Sequence, residues 1–95
     1  MTEIDTVVEN EAGIHCRPSS VILMKRQEYP GCVVTIASEK GDAGLDSIIS
    51  LLGLGLAKGD KVTVKAEGEN EETVCREIAD LFAYHFDYPP EEQNG

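Results

Sequence analysis

"NEAGIHCRPSS", residues 10–20, places a histidine at the joint between a stretch that reads as a strand and one that reads as a helix. Gly13 supplies a turn. Pro18 belongs in a first helical turn, where its missing N–H costs nothing. The first-turn amides of a helix lack intrahelical partners and form an anion site. The positive helix end and Arg17 both disfavour protonation of the His15 imidazole, which leaves it a free lone pair at neutral pH. Arg17 offers a planar fork for anionic oxygens, and Ser19 and Ser20 add hydroxyls. These parts suit phosphoryl transfer, where positioning and charge stabilisation do most of the catalysis. His15 would then carry a transient covalent phosphohistidine. On the residues alone two other fates stay open for it. A packed or surface imidazole is the commoner one in a small domain. A metal ligand would need a second donor at a suitable spacing, and none is present, so no metal is expected.

Outward from this joint the pattern is regular. "IDTVVEN" (4–10) is rich in β-branched residues and predicts a strand closed by Asn10 and Gly13. "RPSSVILMKRQEY" (17–29) predicts a helix with an apolar stripe from Val21 and Ile22 to Met24, and with Lys25 and Arg26 at its negative end. "YPG" (29–31) breaks it. "CVVTIAS" (32–38) predicts a strand, "EKGD" (39–42) a turn, and a short third strand follows near Ala43. "LDSIISLLG" (45–53) predicts a short helix with Asp46 or Ser47 as N-cap and Gly53 near its end. "DKVTVKAEG" (60–68) alternates, with Val62, Val64 and Ala66 on one face. "NEETVCREIADLFAYHF" (70–86) predicts an amphipathic helix capped by Asn70, with Val74, Ile78, Leu81, Phe82 and His85 at helical spacing. His85 on that stripe reads as half-buried structure. "DYPPEEQNG" (87–95) reads as a frayed tail. The order is β-α-β-β-α-β-α: an α+β fold, one sheet with three helices on a single face, which buries the stripes of all three.

The composition sets limits. The 95 residues suffice for one small domain, and 41% of them are hydrophobic. Eighteen acidic residues against eight basic ones give a formal net charge of −10. That argues against a nucleic-acid binder and against docking on an anionic membrane, and it favours partners with basic contact surfaces. The three cysteines, Cys16, Cys32 and Cys75, are odd in number and show no C-x-x-C spacing, so neither a disulfide framework nor a zinc site is expected. The first ten residues lack a basic segment followed by an apolar one, so no secretory signal is expected. "IISLLGLGLA" (48–57) is too short and too glycine-rich to span a bilayer. A reducing, cytoplasmic setting is the expectation.

"GIHCRPSS" resembles the active-site signature of the HPr family, the histidine phosphocarriers of the bacterial phosphotransferase system, whose usual form is G-(L/I)-H-A-R-P-(A/S). "LDSIISLLGLGLAKGDKVTVKAEG" (45–68) is similar to the family's second segment, with its regulatory serine, short hydrophobic helix, glycine turn and fourth strand. The spacing between the segments fits apart from about one extra residue around "SEKGDAG", and the resemblance covers about residues 3–86. It implies the open-faced β-sandwich with a four-stranded antiparallel sheet, a single domain over residues 1–88, and a flexible tail over 89–95.

The resemblance also implies roles. His15 takes a phosphoryl group from phospho-enzyme I and passes it to an enzyme IIA component in sugar transport, as a carrier rather than a stand-alone enzyme. Arg17 stabilises that group, with Cys16 and Arg17 at the phosphate-contacting helix N-terminus. Ser47 falls on the serine that an HPr kinase/phosphorylase modifies in many bacteria. Ile48, Ile49 and Leu52 fall on the exposed docking patch, and Ser20 is placed with them. A monomer without cofactor is implied. The other reading is a regulatory module that controls a transcription regulator or a metabolic enzyme without sugar transport. The apolar residues of the short helix divide accordingly, Leu45, Leu51 and Leu54 inward and Ile48, Ile49 and Leu52 outward. Three residues depart from the family pattern. Cys16 replaces the usual alanine or threonine, Asp46 stands where lysine is frequent, and Ala12 lacks the polar side chain often found before the glycine.

Overall fold

Strand alternation is clearest in β4 (Lys61–Gly68), where Val62, Val64 and Ala66 are all buried on one face. The computed structural model describes residues 1–10, 13–14 and 16–84, with the backbone alone at residues 16 and 17. β4 pairs antiparallel on one side with β1 (Thr2–Val7) and on the other with β2 (Cys32–Ser38). The edge strand β3 (Gly41–Gly44) pairs antiparallel with β2, so the sheet order is β1-β4-β2-β3. Ile4, Val64 and Ile36 lie in one row across three strands, facing the core together. Helices α1 (Cys16–Gln27), α2 (Ile48–Leu52) and α3 (Glu71–Phe82) complete the expected β-α-β-β-α-β-α order. The opposite sheet face is left open, and Val33 on it is 66% exposed.

α3 packs on β1 and β4, and α1 packs against both α3 and α2. Phe82, Ile78 and Val74 bury one stripe of α3 with Cys75 and Ala79, two small residues that the apolar spacing did not single out. Fully burying a side chain such as Phe82, Ile22, Ile36 or Leu51 contributes roughly 1.5–3 kcal/mol each. Leu45 and Leu51 are core residues as expected, while Leu54 is only partly buried against the core. Met24, expected in the stripe of α1, is 65% exposed; Ile22 is fully buried instead, and Leu23 packs partly buried against the core.

Boundaries moved for local reasons. β1 starts two residues earlier than expected because Thr2 pairs with Ala66, and it ends at Val7 where β4 begins. Val8 continues past the ladder through bonds to Asp60 O and from Gly59 N. α2 is shorter than residues 45–53 because Leu45 N still donates to Val34 O at 2.9 Å, which holds it on the sheet. Ser47 is the N-cap, its Oγ accepting from Ser50 N at 3.4 Å; Asp46 is not. Asn70 precedes α3 in a left-handed conformation (φ 59°) and makes no side-chain cap bond. The Glu71 carboxylate instead accepts from Gly68 N (3.2 Å) and from Thr2 Oγ (2.7 Å), tying the start of α3 to both strands beside it. α3 ends at Phe82. His85 and the tail lie outside the described residues.

Candidate functional site

The entry to α1 is built from two turns that lock together. Asn10 is completely buried, its Nδ2 donating to Gly13 O at 2.8 Å, while Gly13 N donates back to Asn10 O at 2.9 Å. The four-residue turn is thus closed by both backbone and side chain. Gly13 has φ +75°, a region that penalises any side chain. A Cβ added there would also lie 2.4 Å from Leu56 O. That close approach lets the next amide, Ile14 N, donate to the same Leu56 carbonyl at 2.9 Å. Ile14 and Leu56 are both buried.

The segment carrying Leu56 is itself held. Asp60 Oδ2 accepts from Ala57 N at 2.8 Å, and Lys40 Nζ donates to Gly55 O at 2.7 Å while pairing with Asp60 Oδ2 at 2.8 Å. The Lys40 ammonium and then the Ala57 amide lower the Asp60 pKa below its ordinary value. Lys40 reaches across from the β2–β3 turn, where Ser38 Oγ accepts from Lys40 N and donates to Gly41 O.

Ile14 stands two positions before Cys16, the first residue of α1. His15 lies outside the described residues, as do the side chains of Cys16 and Arg17; the backbone of both begins α1. Pro18 and Ser19 are buried in the first turn, and Ser20 is exposed. Ser19 Oγ has no hydrogen-bond partner among the described residues.

α2 packs beside α1. Leu51 anchors it in the core, and Ile49 points away with 77% of its surface exposed. Ile48 and Leu52, expected outward with Ile49, are half-buried, because a five-residue helix rooted by Leu51 can turn only a narrow strip fully to solvent. Ser47 is half-buried, its hydroxyl engaged in the cap.

No three His, Cys, Asp or Glu side chains gather as a metal centre among the described residues, and none of their helices is long and apolar enough to cross a membrane. A groove of about 610 Å³ lies on the open sheet face between Asp5, Ala37, Lys61 and Thr63. Asn10, Lys40, Leu56 and Asp60 were not singled out in the sequence as site residues. Asn10 three residues before a glycine was the one readable signal, since that spacing favours a side-chain-closed turn.

The family model for the PTS HPr component phosphorylation site matches residues 2–84. The chain is 32% identical over 85 residues to the phosphocarrier protein HPr of Mycoplasma pneumoniae, covering 90% of this chain and 97% of that relative. It is 34% identical over 88 residues to the phosphocarrier protein NPr of Escherichia coli K12, covering 92% and 98%. The solved structure of HPr-C-His from Thermoanaerobacter tengcongensis shares the fold at a TM-score of 0.79 and 24% identity, over 86% of this chain and 91% of that one. The open-faced sandwich is the fold shared with that structure, and the chain belongs to the HPr family of phosphocarriers.

Proposed function

We propose that His15 is the phosphoryl acceptor and that the protein relays the group from phospho-enzyme I to an enzyme IIA component. The observation that carries this reading is the strap between Ile14 N and Leu56 O. It fixes the backbone one residue before His15 and directly ahead of α1. In sequence His15 directly precedes a twelve-residue helix, whose first-turn amides lack intrahelical partners and favour an anion.

The step is a displacement. A lone pair of the imidazole forms an N–P bond as the bond from phosphorus to the donor breaks, and its electron pair returns to the donor. The Arg17 guanidinium and the amides of Cys16 and Arg17 take the phosphoryl oxygens. Transfer onward runs the same exchange with the acceptor's nucleophile. Ile49, together with Ile48 and Leu52 on α2 and with Ser20 on α1, forms the docking strip for both partners. Ser47 is a regulatory site: a phosphate there adds about −1.5 to −2 charges beside Ile49 and opposes docking to a surface built for an apolar strip.

The test is incubation with the cognate enzyme I and phosphoenolpyruvate, read by intact mass. One acid-labile phosphoryl group is expected in wild type and none in His15→Ala. A wild-type protein that takes up none overturns the reading. Incubation with the cognate HPr kinase/phosphorylase and ATP tests Ser47 by an acid-stable mass increase, and an unchanged mass removes that role.

A further inference from the structure

We propose that Lys40 and Asp60 form a clamp that positions the backbone at residues 13 and 14 for phosphoryl transfer at His15, an inference that rests on the phosphocarrier reading above. Neither residue touches the transferring group. Each acts through the Leu56 carbonyl.

The chain of contacts is continuous. Lys40 Nζ grips Gly55 O at 2.7 Å, on one side of Leu56. Asp60 Oδ2 grips Ala57 N at 2.8 Å, on the other side. The two grips are joined by the 2.8 Å ion pair between them. The peptide in the middle therefore has both neighbours pinned, and its carbonyl receives Ile14 N at 2.9 Å. The segment needs such a device. Gly55 and Gly59 flank it with φ of +64° and +91°, and an ideal Cβ on either meets nothing within 4 Å. Two glycines in open space leave a loop free to shift unless something outside it holds it. Lys40 comes from a turn fixed by the β2–β3 ladder and by Ser38 Oγ, so the clamp refers the loop to the rigid sheet.

Both side chains are partly solvent-exposed, 44% for Lys40 and 29% for Asp60, so the pair adds little to global stability. Its effect should appear in placement. A displacement of about 1 Å at a reacting group can cost on the order of 100-fold in rate. Lys40 and Asp60 are not themselves part of the docking strip on α2, and the bond that links the gripped loop to it, Gly55 N to Leu52 O at 3.1 Å, is a backbone bond that the substitutions leave in place, so partner affinity should be spared.

The experiment compares wild type with Lys40→Met, Lys40→Arg and Asp60→Asn. It reads the rate of phosphorylation by enzyme I over a range of carrier concentrations, and amide exchange at Ile14 against Val64. The expected result is a fall in kcat on the order of tenfold for Lys40→Met and Asp60→Asn at unchanged KM. It includes faster exchange at Ile14 with Val64 unchanged, and recovery in Lys40→Arg. Unchanged kcat or unchanged Ile14 exchange in both clamp variants overturns the proposal. A raised KM in Lys40→Met with Asp60→Asn behaving as wild type also overturns it, since Lys40 would then be meeting the partner. If wild type itself accepts no phosphoryl group, the phosphocarrier reading falls, while the exchange arm still reports whether the clamp holds Ile14.

Discussion

Ile14 N and Leu56 O meet at 2.9 Å, and through that bond the entry to the first helix is held by a loop forty-two positions later in the chain. The contact depends on Gly13, whose backbone lies against the same carbonyl.

Gly13→Ala should therefore destabilise the fold by about 1–3 kcal/mol, since the substitution combines a left-handed φ with a backbone clash. Urea denaturation would show a lower midpoint, and the variant should also be a poor phosphoryl acceptor at temperatures where it remains folded. A midpoint equal to that of wild type would mean that the turn relaxes at little cost.

Asn10→Ala removes the side-chain half of the same turn. The buried carbonyl of Gly13 loses its donor, a change that costs about 1–3 kcal/mol when nothing replaces it. Thermal melting should fall, with the loss concentrated at the amides of residues 13 and 14 in hydrogen exchange.

Leu51 and Ile49, two residues apart on α2, should separate stability from recognition. Leu51→Ala empties a core position and should cost about 2–5 kcal/mol. Ile49→Glu alters an exposed side chain and should stay within about 0.5 kcal/mol of wild type. It should nonetheless raise the KM for phosphorylation by enzyme I. A normal KM would remove Ile49 from the docking strip.

Acid should loosen two anchors. The Asp60 carboxyl is held below its ordinary value by Lys40 and the Ala57 amide, and that of Glu71 by the Thr2 hydroxyl and the Gly68 amide. Folded pKa values below the unfolded ones mean that stabilisation is complete above the unfolded values of about 4 and is lost as pH falls through the lower folded values. Both carboxylates are partly solvent-exposed, so the decline in stability from pH 6 to pH 2 should be small, with Asp60→Asn removing a minor share of it.

Burial raises the pKa of both the Cys32 and the Cys75 thiol, and Cys75 Sγ donates to Val64 O at 3.1 Å. Neither should react quickly with a thiol reagent in native buffer. Any fast thiol should belong to Cys16 and vanish in Cys16→Ala. Persistence of a fast phase in that variant would point to local opening at the start of β2 or around α3, which carry Cys32 and Cys75.

The sheet and helices were legible because their signals are local. Alternation marked β4, β-branched residues marked β1, and Pro18 with Lys25 and Arg26 bracketed α1. Element ends were less legible because they are settled by partners distant in sequence. Leu45 stays on the sheet through Val34, and the start of α3 is tied by Glu71 to Thr2 rather than capped by Asn70. For the site, the motif singled out the histidine and the arginine. The brace around them could not be read, because Lys40, Leu56 and Asp60 gain their meaning only when a hairpin, a loop and a helix entry converge.

The strand order β1-β4-β2-β3 also bears on how the molecule comes into being. β4, the last strand made, is central, and both β1 and β2 depend on it for pairing. During synthesis the stretch around His15 leaves the ribosome long before Leu56, and the sheet cannot close until residue 68 has followed. The backbone at Ile14 thus has no Leu56 carbonyl to meet until that loop has been made, and β1 and β2 have no common partner until β4 follows, so the centre proposed at His15 cannot be held in place on a chain that ends before residue 68.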